Sequence, residues 1–293
     1  MDAAVEAKVT RLRALLGELP SALVAFSGGV DSTLLLRVAH DVLGERCVAL
    51  TTVSPTSPEE DLDAARTFAG ELGVAHLVVD ANELEIPGYA ENPTNRCYFC
   101  KDNLFAICLT EAERRGIAAV VDGANLDDLG DHRPGLTAAA ERGVRHPLVE
   151  AELSKADVRA ASRALGLPTW DRPASPCLSS RFPYGTRITG ERLGQVAAAE
   201  RFLRGRGFRE LRVRFHDRVA RLEVPPDDIP RLLEPALRRE IVEELKRLGF
   251  TWVALDLQGF RSGSLNETLS AATSDAKNTR GRGGSTPPAP RIR

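Results

Sequence analysis

The sequence predicts an α/β fold, a parallel sheet with helices on both faces, carrying a small α+β domain at its C-terminal end. Three observations lead there. Short apolar runs alternate with helix-period patterns through the first two thirds of the chain, as parallel strands joined by crossover helices require. A Gly-rich turn, Ser27-Gly28-Gly29-Val30-Asp31-Ser32, joins the first of these runs to a helix. Beyond about residue 200 the pattern becomes mostly apolar–polar alternation, with Leu211, Val213 and Phe215 set against Arg212, Arg214 and His216. That alternation reads as a hairpin of half-buried strands.

The elements follow in order. Residues 1–19 mix charge with Ala and Leu and read as an amphipathic helix ending before Pro20. Residues 22–26 form a buried strand. Residues 33–43 form a helix with Leu34, Leu35, Val38, Ala39 and Val42 on one side. Strand 47–53 ends at Ser54-Pro55, helix 58–72 is closed by Gly73, and strand 75–79 comes next. A helix over 103–115 ends at Gly116, and strand 118–122 runs into Gly123-Ala124-Asn125. Helix 154–165 starts at Ser154, an N-cap with Asp157 at its capping-box position. Residues 170–187 are a long Pro-rich loop, and such loops inside a compact protein are usually functional. Residues 190–206 and 229–248 are helical, and 251–257 is a strand. The expected domains are therefore 1–200 and 201–270. A Ser-, Thr-, Gly-, Pro- and Arg-rich tail over 271–293 cannot bury enough apolar surface to fold alone.

Bulk properties exclude several classes. The net charge is −2 and the pI about 6.3, so no global basic field favours nucleic acid. No apolar stretch approaches the roughly 20 residues that span a bilayer, and residues 1–19 lack a signal-peptide core. The five cysteines are too few and too scattered for a secreted disulfide scaffold. The expectation is a cytoplasmic protein without membrane or nucleic-acid partners, in which clustered cysteines suggest metal or catalysis.

The chemistry concentrates at strand ends. A strand, a Gly-rich turn and a helix N-terminus together make an anion site, because Gly28 and Gly29 let backbone N–H groups approach a phosphate. No Gly-Lys-Ser/Thr closes this turn, so it is not a Walker A loop. After the fourth strand, Gly123, Asn125 and Asp128 could bind a ribose or a magnesium ion that bridges phosphates; a plain capped turn is the bland alternative. Cys97 and Cys100 have C-x-x-C spacing, half of a metal site. Cys177, in Ser175-Pro176-Cys177-Leu178-Ser179-Ser180-Arg181, is the third candidate. Three thiolates suit a 4Fe–4S cluster with one open iron, a zinc site, or a redox pair with a third reactive cysteine. Cys47 and Cys108 fall on apolar runs and read as core. Arg181 beside Cys177 suits a phosphate or carboxylate and would favour a thiolate. Arg212 and Arg214 project from one strand face, where two cations repel unless an anion lies between them. With Arg261 they could hold a substrate phosphate; the alternative is a charged, solvent-facing edge strand.

The turn at 27–32 resembles the PP-loop of ATP pyrophosphatases, which cut ATP between the α and β phosphates. Four more segments narrow the resemblance: Asn95-Arg96-Cys97-Tyr98-Phe99-Cys100-Lys101, the loop at 123–128, the Ser-Pro-Cys-Leu loop, and the closing Gly259-Phe260-Arg261-Ser262-Gly263-Ser264-Leu265-Asn266. Together, over roughly residues 5–270, they resemble the LarE family of sulfur transferases. The resemblance implies an adenine nucleotide α-hydrolase-like, Rossmann-like domain with ATP bound by Ser27, Gly28, Gly29, Asp31 and Ser32. It implies Mg2+, with Asp31 holding the metal or the loop. It implies adenylation of pyridinium-3,5-biscarboxylic acid mononucleotide and its conversion to thiocarboxylates for the nickel-pincer cofactor of lactate racemase. It also implies a homo-oligomer, served by proteins upstream and downstream in the making of that cofactor. The sulfur would come from a 4Fe–4S cluster on Cys97, Cys100 and Cys177, the preferred reading, or from Cys177 sacrificed to dehydroalanine. A tRNA thiolation enzyme, an amide synthetase and an ATP-binding sensor are the alternatives. The first should need a basic RNA surface, and the second leaves the cysteines unexplained.

Overall fold

The computed structural model describes residues 1–130, 134–173, 175–261 and 263–267. The expected tail at 271–293 lies outside these residues, as does Ser262 of the closing segment.

Four strands, Ala22–Ala25 (β1), Cys47–Val53 (β2), Ala75–Asp80 (β3) and Ala119–Val121 (β4), pair in parallel in the order β3-β2-β1-β4. Every residue of β1 is buried, as expected of a central strand covered on both faces. Ala22 stands opposite Cys47 on one side and Ala119 on the other. The chain starts in the middle, runs to one edge, then returns past β1 to lay down β4. This reversal between β1 and β4 is where a crevice opens at the carboxyl ends of parallel strands.

Helices cover both faces. Ala3–Gly17 (α1) is capped by Asp2, which accepts from the Val5 N–H at 2.8 Å. Its Val5, Val9, Leu12 and Leu16 join one core with Val30–Leu43 (α2) and Glu59–Leu72 (α3). On the opposite face Leu23 and Leu50 pack against Phe105, Cys108 and Ala112 of Arg96–Arg115 (α4) and Ala139 of Pro134–Glu141 (α5). Cys47 and Cys108 are both buried, and burial pushes each thiol up to about 12. They are core residues. Pro147–Glu150 (α6) and Lys155–Ala164 (α7) follow, and the capping box of α7 is present as expected, with Ser154 and Asp157 satisfying each other.

Two expectations are corrected. The helix expected from residue 103 begins at Arg96, so Cys97 and Cys100 lie on its first turns and not in a loop. The helix expected over 229–248 is two helices, Ile229–Leu232 (α9) and Pro235–Arg247 (α10). Proline disfavours helical backbone at the preceding residue, and Glu234 is extended, with φ −56° and ψ 129°.

The smaller sheet has the order β5-β6-β7: Arg212–His216 (β5) antiparallel to Val219–Glu223 (β6), which pairs in parallel with Trp252–Leu255 (β7). Its core includes Leu193, Val196, Ala199 and Leu203 of Gly190–Gly205 (α8), and also Tyr89, Leu178 and Phe182. The second core therefore begins well before residue 201, and it grips the loop that carries Cys177. No helix among the described residues is long and apolar enough to cross a membrane.

Candidate active site

The Gly-rich turn leaves β1 and enters α2 at Gly29, the N-cap. Gly28 has φ +71°, and a Cβ there would lie 3.1 Å from the Asp61 carbonyl oxygen. Both the backbone conformation and the close packing on α3 require glycine at that position. Ser32 Oγ lies 3.1 Å from Ser27 Oγ and donates to the Gly29 carbonyl at 3.2 Å, which closes the turn on itself.

The loop after β4 is built against this turn. A Cβ on Gly123 would fall 2.9 Å from the Ser32 backbone nitrogen, so glycine is needed there for the approach of two backbones. Asn125 donates from Nδ2 to Asp31 at 3.1 Å. Its own N–H goes to Asp128 at 3.0 Å, so Asp128 also serves as a turn cap. Lys155, at the start of α7, ion-pairs with Asp31, while its backbone N–H donates to Asp127 at 2.9 Å. Lys155 escaped the sequence reading because nothing local marks it; only the Ser154 cap hinted that its side chain starts a helix. The structure thus brings Ser27, Gly28, Gly29, Asp31, Ser32, Gly123, Asn125 and Asp128 to one sheet edge and adds Lys155.

Beneath this edge, Asp122 Oδ1 lies 2.5 Å from His146 Nδ1 and accepts from the Ala124 N–H at 3.1 Å. Burial pushes the Asp122 carboxyl up, but the His146 bond, the Lys101 and His146 charges and the Ala124 N–H together outweigh it and the carboxyl sits low. The bond to Asp122 raises His146, against a smaller effect of burial. A raised histidine contributes stability below the ordinary imidazole range and loses it as pH rises through the folded value. His146→Gln is therefore expected to cost roughly 1–2 kcal/mol near pH 6 and distinctly less near pH 9. Melting temperatures of both proteins across that range check this; a pH-independent gap would contradict it.

Cys177 caps a short 3-10 turn, Leu178–Arg181. The Leu178 N–H donates to the Thr56 carbonyl at 2.8 Å. Thr56 donates to the buried Glu83 at 3.3 Å, and Cys100 approaches the other Glu83 oxygen at 3.7 Å. The Cys177 loop and the start of α4 therefore share one site. Burial pushes the Cys100 thiol well up, and the charge of Cys177 adds to that. Cys97 keeps solvent exposure, yet the surrounding protein still raises its thiol, Cys177 raises it further, and Arg96 pulls it back. As thiolates the three sulfurs would repel one another, which is why Cys177 raises both Cys97 and Cys100. As folded here, no group of three or more His, Cys, Asp or Glu among the described residues is arranged to hold a metal ion.

The arginines are held by carboxylates, backbone carbonyls and an aromatic ring. Arg181 is fully buried and spans Glu200 with two bonds of 2.8 Å, while Nη1 donates to the Pro176 and Cys177 carbonyls. Through these two carbonyls it shapes the Cys177 backbone. Two cations act on the thiols: Arg96, buried and donating to the Ser179 carbonyl at 2.8 Å, lowers Cys97, and Lys101 lowers both Cys97 and Cys100. Arg212 and Arg214 are buried too, which corrects the half-exposed strand. Arg214 binds Glu223 at 2.9 Å, the Ser180 carbonyl at 2.6 Å and Ser264 at 2.8 Å. Arg212 stacks on Phe260 at 4.8 Å, and burial, with Arg181 nearby, brings it down to about 10. Arg261 pairs with Glu267 at 3.1 Å. Arg181 and Arg214 both bond Ser180, the first at its hydroxyl and the second at its carbonyl.

Comparison with known proteins agrees with this architecture. The family model for NAD synthase matches residues 6–106. An uncharacterized protein of Synechocystis, slr1717, is 49% identical over 265 residues, 90% of this chain and 99% of that protein. A tRNA-specific 2-thiouridylase of Azorhizobium caulinodans is 31% identical over 191 residues, 52% of this chain and 48% of its own. The pyridinium-3,5-bisthiocarboxylic acid mononucleotide synthase of Lactiplantibacillus plantarum is 41% identical over 271 residues, 92% of this chain and 98% of its own. Likeness over nearly the whole of both chains, on a sheet whose switch point carries a PP-loop, places this chain in the LarE family of ATP-dependent sulfurtransferases.

Proposed function

We propose that the chain adenylates the carboxylates of pyridinium-3,5-biscarboxylic acid mononucleotide and converts them to thiocarboxylates, a step toward the nickel-pincer cofactor of lactate racemase. The observation that carries this reading is the junction of the PP-loop with the Cys177 loop at one sheet edge. ATP lies with its phosphates on the turn at 27–32. Asp31 would hold Mg2+, which would supply the positive charge that neutralises the departing pyrophosphate. A substrate carboxylate oxygen attacks the α phosphorus and the α–β bridge breaks, releasing pyrophosphate. The acyl-adenylate then meets sulfur, its carbon–oxygen bond to AMP breaks, and a carbon–sulfur bond replaces it. Arg212, Arg214 and Arg261 are the proposed seat of the substrate phosphate, and Gly123, Asn125 and Asp128 line the nucleotide side.

For the sulfur source we favour a 4Fe–4S cluster on Cys97, Cys100 and Cys177. When bound, it supplies a transferable sulfide and leaves the side chains intact. In the alternative, Cys177 Sγ itself attacks the adenylate, and elimination across Cα–Cβ leaves dehydroalanine. The exposed Leu233, Trp252 and Leu257 support a homo-oligomer. A cytoplasmic setting, with proteins that deliver the substrate and take up the product, completes the proposal.

Pyrophosphate release that requires the pyridinium nucleotide tests the activation step; release independent of it would overturn the reading in favour of a simple ATPase. Anaerobic purification with iron and sulfide assays tests the source. Cys97→Ala is expected to lose most of its iron and its multiple turnovers. Retention of both would overturn the cluster.

A further inference from the structure

Arg172 and Asp61 lie outside every motif discussed above, yet they join the two halves of the reaction. Arg172 Nη1 donates to the Gly28 carbonyl of the PP-loop at 3.0 Å. Its Nη2 donates to Asp61 Oδ1 at 2.5 Å. The second Asp61 oxygen accepts from Ser175 Oγ at 2.9 Å, two residues before Cys177. Asp61 belongs to the first turn of α3, on which Gly28 packs. Arg159 fixes the other end of this strap by donating to the Trp170 and Arg172 carbonyls, each at 2.8 Å. One carboxylate and one guanidinium thus tie the phosphate turn to the segment that carries the sulfur residue. Both are largely screened from water, with side-chain exposures of 25% and 19%, so the pair is less weakened by solvent than a surface ion pair.

We propose that Arg172, Asp61 and Ser175 form a positioning relay that transmits nucleotide occupancy of the PP-loop to the Cys177 loop. The physical need is clear from the proposed reaction on which the inference rests. An acyl-adenylate exposed to water hydrolyses, so sulfur must be presented only when the nucleotide is in place. A nucleotide that draws the Gly28 peptide toward its phosphates moves the carbonyl that Arg172 holds. Arg172 moves Asp61, and Asp61 carries Ser175. Each link is a short hydrogen bond between named groups, so coupling has a contiguous route.

Hydrogen exchange on the full chain, with and without α,β-methylene ATP and Mg2+, tests it. In the unaltered protein the nucleotide is expected to slow exchange both over 26–35 and over 175–182. In Asp61→Ala and in Ser175→Ala, protection over 26–35 is expected to persist, while the response over 175–182 falls by about fivefold or more. A response over 175–182 unchanged in both variants overturns the relay, because the nucleotide then acts on that loop directly. So does protection of the unaltered protein confined to 26–35. Absence of protection over 26–35 overturns the nucleotide reading as well. Ser175 is exposed and its hydroxyl is not part of any core, so Ser175→Ala decides the matter even where Asp61→Ala does not fold.

Discussion

Cys177→Ala is expected to lose thiocarboxylate formation by more than about a thousandfold, the scale on which removal of a reacting group is felt, while still cleaving ATP. The two effects separate because the loop does not depend on the thiol for its shape. Leu178 is held by the Thr56 carbonyl, and the Pro176 and Cys177 carbonyls by Arg181, all through backbone atoms that alanine keeps. The residues around the PP-loop, Asp31, Asn125 and Lys155, bond one another and not Cys177. Pyrophosphate and thiocarboxylate assayed on one sample check this. Parallel loss of both would mean that Cys177 organises the nucleotide site; retention of both would remove it from the sulfur path.

Glu200→Ala is the largest expected change in stability. Glu200 is fully buried on α8 and accepts from Arg181 at two oxygens, from the Val213 N–H at 3.0 Å and from Arg204 at 2.9 Å. Burial pushes its carboxyl up, but Arg181 and the other donors pull harder and it sits low. Removal strands the Arg181 charge in a dry interior, which costs about 3–5 kcal/mol. For a chain of this size that corresponds to a fall in melting temperature of roughly 10 °C. Glu200→Gln, which keeps the shape, should fall less. A depressed carboxyl contributes its stability above the ordinary glutamate range and loses it as pH falls through the folded value. The gap between Glu200→Ala and the unaltered protein should therefore close in acid. A Glu200→Ala melting point within about 2 °C of the unaltered protein would show that the ion pair is not the support described.

The nucleotide half was readable because its signals are local. Residues 22–32 hold the strand, the glycines and the helix start in one contiguous run, and backbone conformation alone demands Gly28. Cys97, Cys100 and Cys177 could be named but not located, since α4 starts after Asn95 without a side-chain cap to mark it. The arginines misled for a physical reason. Alternating Arg212 and Arg214 look solvated unless their partners are known, and Glu223 and Ser180 reach Arg214 only through the fold. Arg181 finds Glu200 one helix later. Lys155, Arg96, Arg172 and Asp61 acquire meaning only through contacts between distant segments. Pro235 marks a helix boundary in the sequence itself, because proline disfavours helical backbone at Glu234.

The most direct measurement follows sulfur itself. The chain, purified without oxygen, is incubated with ATP, Mg2+ and the pyridinium biscarboxylate nucleotide, and both product and protein are weighed by mass spectrometry. The account predicts AMP, pyrophosphate and a product in which sulfur has replaced carboxylate oxygen. Intact protein marks the cluster as the source, and loss of the elements of hydrogen sulfide at Cys177 marks sacrifice. AMP and pyrophosphate without any sulfur in the product, at full iron and with Cys177 intact, would contradict it.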